Sequence, residues 1–165
     1  MQFGTFSEYL LSIDGVNLAL LGAALAALLP GMGSAKGVGM VSEAASGLLA
    51  DDPTKYGKAL LLQALPGTQG IYGLVTAFLV MFKIGVLGEL AELSTADGAY
   101  FLMSCLPIAV VGYYSAIKQA RVSVSGINLL AKRPAEVGKA ITSAALVETY
   151  AIFALLISLI PIIFA

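Results

Sequence analysis

The chain has 165 residues, of which 59% are hydrophobic and only 12% are charged, and its mean hydropathy is +0.93. A net charge of -1 gives no basic surface for a nucleic acid, and the single cysteine, Cys105, excludes an internal disulfide. The absence of histidine removes the commonest general base and any histidine-based metal site. This composition indicates a membrane protein in which Cys105 is a small buried residue.

Four long runs lack charged residues: 15–35, 59–82, 98–117 and 140–165, the last interrupted only by Glu148. Each reaches the roughly 20 residues that a helix needs to cross a bilayer. The runs are continuous rather than alternating, which disfavours a β-barrel. They predict four transmembrane helices. Only Glu8 and Asp14 are charged before the first run, so we expect no cleaved signal peptide.

Basic residues gather around the first and third connections between these runs: Lys55, Lys58, Lys132, Arg133 and Lys139. The second connection has Lys83 against three acidic residues. Because positive charges favour the cytoplasmic side, this pattern predicts a multi-pass protein of the plasma membrane with cytoplasmic hairpin turns and both termini outside.

The sequence also contains a duplication. When the chain is aligned with itself at an offset of 81 positions, the stretch from Gly31 to Leu74 gives 17 identities over 44 positions without a gap. Because the offset covers two helices, the two copies have the same orientation. The sequence therefore predicts an all-α protein of two tandem hairpins, residues 1–88 and 89–165. Four helices in this arrangement resemble one segment of a larger ring.

The stretch GMGSAKGVGM, residues 31–40, superficially resembles a phosphate-binding loop but lacks the final Gly-Lys-Ser/Thr and a preceding strand. Gly31, Ala35 and Gly39 instead recur every four residues, with Gly33 and Gly37 beside them, and predict close helix packing. We therefore expect helices one and three to form the inner wall of a ring, with helices two and four facing lipid. Charged residues on the inner pair could face a lumen or the cytoplasmic end, and the sequence leaves both open: Lys36, Glu43, Lys118 and Arg121.

Glu148 stands inside an apolar helix, where a charge costs on the order of 3 kcal/mol and usually marks an ion pathway. It aligns with Gly67 in the duplication, so only the second hairpin has the carboxylate. Gln119 precedes Arg133 by the same number of positions as Glu148 follows Pro134. Gln119 and Glu148 should therefore lie at one depth in an antiparallel hairpin.

The first hairpin supplies polar groups at the same predicted depth. Leu65, Thr68, Gln69 and Tyr72 share one helix face, and Pro66 loosens the helix beside them. Several neutral oxygens around one carboxylate can replace the water shell of a cation, and one negative charge balances a monovalent ion. This set favours sodium over calcium or magnesium, and a proton would need fewer of these groups.

Four elements in order, GMGSAKGVGM, LPGTQGIYG, SAIKQARVSVSGI and LVETYAI, give the chain a resemblance to the proteolipid (K or c) subunit of bacterial sodium-translocating rotary V-type ATPases. The resemblance covers nearly the whole chain. It implies that sodium is bound by the Leu65 main-chain carbonyl, Thr68, Gln69, Gln119 and Glu148, with the Tyr72 hydroxyl steadying Glu148. Lys118, beside Gln119, departs from the small residue expected there.

The resemblance also implies a non-catalytic subunit of an ATP-hydrolysing pump, with no organic cofactor. By the same resemblance, copies are expected to form a homo-oligomeric ring in the lipid bilayer that turns through a central-stalk subunit. A basic residue of a stator membrane subunit is expected to displace sodium from Glu148, and the single carboxylate implies one ion per subunit. Two alternatives stay open: a proton-carrying proteolipid of the same architecture, and a helical channel without a rotary partner.

Overall fold

The computed structural model of the chain describes residues 14–165. Helix α1, Gly15–Asp51, begins where the Asp14 carboxylate accepts a hydrogen bond from the Val16 amide at 3.1 Å. Such a cap satisfies a main-chain donor that has no partner within the helix. Glu8 and the predicted outside position of the N-terminus lie beyond the described residues.

Pro66 divides the second membrane span. Helix α2, Tyr56–Ala64, is followed by a 3₁₀ turn, Leu65–Gly67, and then by α3, Thr68–Lys83. Because proline has no amide hydrogen and its ring crowds the preceding turn, the regular α-helical bonding is interrupted there. The predicted local loosening at Pro66 is therefore confirmed.

The second hairpin contains α4, Thr95–Lys132, and α5, Val137–Phe164. Helix α4 begins at a reciprocal cap in which Ser94 Oγ accepts from the Asp97 amide at 3.2 Å and the Ser94 amide donates to Asp97 Oδ2 at 3.3 Å. The connection between the hairpins, residues 84–94, includes the predicted boundary between residues 88 and 89.

The two hairpin turns repeat each other closely. Each turn is a 3₁₀ segment that begins with proline, Pro53–Lys55 in the first hairpin and Pro134–Glu136 in the second. The preceding residues, Asp52 and Arg133, share a φ of -142°, and the amide of each donates to the equivalent leucine carbonyl in the last turn of its helix. The duplication seen in the sequence is thus a duplication of backbone structure.

Close approach of α1 to α4 depends on glycines, but not on all those that the sequence predicts. A Cβ atom at Gly33 would lie 2.7 Å from the Tyr113 carbonyl oxygen, and one at Gly37 would lie 3.1 Å from that of Ala116. Cβ atoms at Gly31 and Gly39 would meet nothing within 4 Å. The predicted close packing is therefore confirmed at Gly33 and Gly37, which α1 turns toward α4, while Gly31 and Gly39 make no such contact within one chain.

All four spans are long and apolar enough to cross a membrane: Gly15–Asp51, Pro53–Lys83, Thr95–Lys132 and Pro134–Phe164. Cys105 is buried, as predicted. The second and fourth spans expose large apolar side chains along their length, such as Phe78 and Phe153, which suits contact with lipid. The predicted all-α membrane fold of two tandem hairpins is confirmed.

Candidate functional site

Glu148 lies in the middle of α5, and its half-buried carboxylate is held from two other spans. The Tyr72 hydroxyl, on the second span, donates to Glu148 Oε1. Gln119 Nε2, on the third span, donates to Glu148 Oε2 at 3.4 Å. The predicted common depth of Gln119 and Glu148 is confirmed by this contact.

Two glutamine side chains lie behind the carboxylate, and both are 0% exposed. Gln69 Nε2 donates to Gln119 Oε1 at 2.6 Å, and Gln119 Nε2 also donates to the main-chain oxygen of Ala144 at 3.2 Å. A buried amide that lost these partners would cost about 1–3 kcal/mol, so the contacts fix the orientation of both side chains. They also join the first hairpin to the second.

The 3₁₀ turn around Pro66 brings the main chain into the same network. Thr68 Oγ1 donates to the Leu65 carbonyl at 2.9 Å and approaches Gln69 Oε1 at 3.4 Å. The Leu65 oxygen also accepts from the Thr68 amide, as a 3₁₀ turn requires. The structure thus links all six residues singled out in the sequence through hydrogen bonds, from Leu65 on the second span to Glu148 on the fourth.

Two serines that sequence reasoning did not assign to the site support this network. Ser115 Oγ accepts from Gln69 Nε2 at 3.4 Å and donates to the Val147 carbonyl at 3.1 Å. Ser34 Oγ accepts from the Gly70 amide at 2.8 Å, directly after Gln69. Ser34 and Ser115 are identical partners in the alignment of the two hairpins, and that identity was the signal that could have found them.

Lys118 lies on α4 directly before Gln119, yet its side chain is exposed. Within residues 14–165, no hydrogen bond or ion pair joins Lys118 to Glu148. The positive charge is therefore not a direct partner of the carboxylate within one chain.

The arrangement combines one carboxylate with neutral amide, hydroxyl and main-chain oxygens at one depth of a membrane helix bundle. When ionised, the carboxylate gives the site one negative charge, which a monovalent cation or a proton would neutralise. The neutral oxygens matter chiefly for a cation, which must replace several water ligands at once.

Comparison with known proteins gives one matching family and two related sequences. The sequence model of the family described as the C subunit of ATP synthase matches residues 21–80 and 102–160, two segments that begin at equivalent positions of the duplication. The V-type sodium ATPase subunit K of Enterococcus hirae is 45% identical over 157 residues, which cover 94% of this chain and 97% of that protein. The A-type ATP synthase subunit K of Methanocaldococcus jannaschii is 33% identical over 151 residues, 92% of this chain and 64% of that protein.

Proposed function

The chain belongs to the family of the ATP synthase C subunit, and on that premise we propose that it is a rotor-ring subunit of a V-type ATPase that carries sodium across the membrane. One ion is carried per chain at Glu148. The hydrogen-bonded set of oxygens around this carboxylate is the observation that supports the proposal most directly. In this proposal the chain itself has no catalytic role, and ATP is hydrolysed in the cytoplasmic head of the ATPase complex.

Sodium suits the donor set in both charge and number of ligands. Glu148 supplies the single negative charge, and neutral oxygens come from Leu65, Thr68, Gln69 and Gln119. The loaded site is then neutral, so it can pass along lipid at a much lower cost than a bare carboxylate. Tyr72 holds Glu148 by a hydrogen bond and thereby orients the carboxylate toward these oxygens.

Release requires a competing positive charge. At the interface with a stator subunit, a basic residue of that subunit takes the place of sodium beside Glu148, and the ion leaves through a half-channel. The ring turns through a central-stalk subunit. With the basic hairpin turns on the cytoplasmic side, the stalk meets the ring at the end that carries Lys55 and Lys58.

A proton is the second candidate ion, because a carboxylate with one or two hydrogen-bond partners is sufficient to carry it. The buried amides of Gln69 and Gln119 favour sodium, since proton transfer to Glu148 does not need their oxygens. The Enterococcus hirae relative, which is named as a subunit of a sodium ATPase, supports the same choice.

Labelling of Glu148 by a carboxyl-directed carbodiimide tests the identity of the ion. The reagent attacks a protonated carboxyl group, and bound sodium keeps the group ionised. We expect millimolar sodium chloride at neutral pH to slow labelling, whereas equal potassium chloride should not. Protection that varies with pH but not with sodium would contradict the sodium proposal.

Gln119→Leu should weaken sodium protection without removing the reactive carboxyl group. The change deletes the oxygen that faces Gln69 and the amide that holds Glu148 Oε2. Even the loss of a group that only supports a ligand lowers metal affinity about 10–100-fold, so the loss of a ligand oxygen should lower sodium affinity at least that much. The measurement is the sodium concentration that halves the labelling rate. Gln63→Leu is the matched control, because Gln63 lies on α2 outside the network; equal shifts in both variants would exclude a specific role for Gln119.

A further inference from the structure

An open groove lies on one flank of the second hairpin, and residues of the third and fourth spans alone line it. Its volume is about 360 Å³, and only Ser115 among its lining residues is buried; the others are Val110, Val111, Tyr114, Lys118, Val147 and Tyr150. We call this the flank groove. Tyr114 and Tyr150 are 61% and 66% exposed, so large apolar surfaces lie uncovered beside a charged one.

The equivalent surface of the first hairpin is covered by another helix of the same chain. Six of the seven residues 81 positions earlier are buried, namely Pro30, Gly33, Ser34, Gly37, Pro66 and Gln69, and the seventh, Leu29, is partly buried. They are covered by the third span of the same chain: Gly33 approaches Tyr113, and Gly37 approaches Ala116 and Ala120. The flank groove is therefore the unfilled copy of an interface that exists inside the chain.

The chain also carries a face equivalent to the one that covers this surface in the first hairpin, and that face could cover the flank groove of another copy. The residues 81 positions before Tyr113, Ala116 and Ala120 are Met32, Ala35 and Gly39. Met32 is 51% exposed, Ala35 is exposed, and a Cβ atom at Gly39 would meet nothing within 4 Å. Within the chain α1 turns Gly33 and Gly37 toward α4 instead of this face, so a second copy is needed to bring the face and the flank groove together. Such a head-to-tail contact generates a ring when it closes.

The proposed contact between copies differs from the contact inside the chain because it contains charged residues. Within the chain, Met40 and Val124 both pack against the same apolar cluster, which contains Val41 and Ala120. The residue 81 positions after Met40 is Arg121, and the residue 81 positions before Val124 is Glu43. Two apolar residues beside one cluster inside the chain thus correspond to an arginine and a glutamate at the proposed contact between copies.

The basic side of this contact includes a second residue. Lys118 takes the place of Gly37 and lies three residues before Arg121, about one helical turn away. Glu43, Lys118 and Arg121 are all exposed, and none of the three has an ion-pair partner among residues 14–165. Charges on membrane helices normally find partners, because an unpaired charge there is costly.

We propose that, in the ring on which the proposed function rests, Glu43 of each copy forms an ion pair with Arg121 of the neighbouring copy, with Lys118 beside it in the flank groove. The pair fixes the axial register of adjacent copies, since a slip by one helical turn would separate the charges by about 5 Å. That register sets every Glu148 at the same depth. The face formed by Met32, Ala35 and Gly39 packs against the apolar residues of the neighbouring copy's flank groove.

Thiol cross-linking in the assembled ring tests the contact. Glu43→Cys and Arg121→Cys are combined in a Cys105→Ala background and treated with a short bifunctional thiol reagent. We expect a ladder of dimers, trimers and larger products on a denaturing gel. The matched control combines Met40→Cys with Val124→Cys, which the duplication places within one chain and which should therefore give monomers only.

Charge reversal gives a second measurement that does not depend on cysteine. Glu43→Arg, or Lys118→Glu with Arg121→Glu, should lower the fraction of chain recovered as rings by about tenfold or more, because like charges then face each other. All three changes together should restore rings to near the original yield. Asp51→Arg, at the exposed end of α1, is the control and should have little effect.

The two proposals fail in different ways. Rings of normal yield that give no ladder, or a triple variant that stays unassembled, would overturn the Glu43 and Arg121 contact while leaving the rotor-ring proposal standing. If the unsubstituted chain formed no ring at all, the proposed function would be contradicted together with this contact. Native mass measurement of the purified assembly distinguishes these outcomes.

Discussion

Glu148→Gln should leave the ring assembled and abolish sodium transport. Glutamine has nearly the same shape as glutamate and can still accept the Tyr72 hydrogen bond, so packing of α5 against the other spans should persist. The substitution removes the only negative charge of the site. Loss of one partner from a charge pair at low dielectric costs about 3–5 kcal/mol, which corresponds to a decrease of 100-fold or more in ion occupancy.

The measurement is ATP-driven sodium uptake into vesicles that contain the complete complex, with ring content determined in parallel. Glu89→Gln is the matched control, since Glu89 is exposed in the connection between the hairpins. Uptake by Glu148→Gln at the level of the control would remove this carboxylate from the transport mechanism. Loss of the ring itself would show that the residue is needed for folding instead.

The cluster around Glu148 was predictable because helix geometry is simple when a turn position is known. Gln119 and Glu148 lie equally far from the turn at Pro134, and antiparallel helices with the same rise place them at one depth. In the duplication, Thr68 and Gln69 align with the two residues directly after Glu148, so they were expected at the same depth. The hydrogen bonds from Gln69 through Gln119 to Glu148 agree with this expectation.

Helix phase was less predictable than depth. Gly31, Gly33, Gly37 and Gly39 lie close together in the sequence, yet only Gly33 and Gly37 face α4. Which side of a uniformly apolar helix faces its neighbour depends on the packing of all four spans, and the sequence of α1 lacks the polar face that marks the exposed side of a helix in a soluble protein. The role of Ser115 was missed for the same reason, because it depends on the direction of one side chain toward Gln69.

Gly33→Leu should prevent the chain from folding, because this glycine sets the distance between α1 and α4. Even a Cβ atom at Gly33 would lie 2.7 Å from the Tyr113 carbonyl oxygen and 2.9 Å from its Cα. Both atoms belong to the main chain of a helix, so they cannot move aside as a flexible side chain can. Overpacking of a close contact commonly costs about 1–3 kcal/mol, and here the whole spans must separate.

Gly31→Leu is the matched control, two residues away on the same helix, because a Cβ atom there would meet nothing within 4 Å. The readout is the fraction of membrane-inserted chain that resists protease, together with its unfolding temperature in mild detergent. Both report the fold of a single chain. Ring yield is not used, because Gly31 lies on the open side of α1, beside the face proposed to meet a second copy. We expect Gly31→Leu to stay near the unsubstituted chain and Gly33→Leu to be degraded; similar stability of the two variants would contradict close packing of α1 against α4 at Gly33.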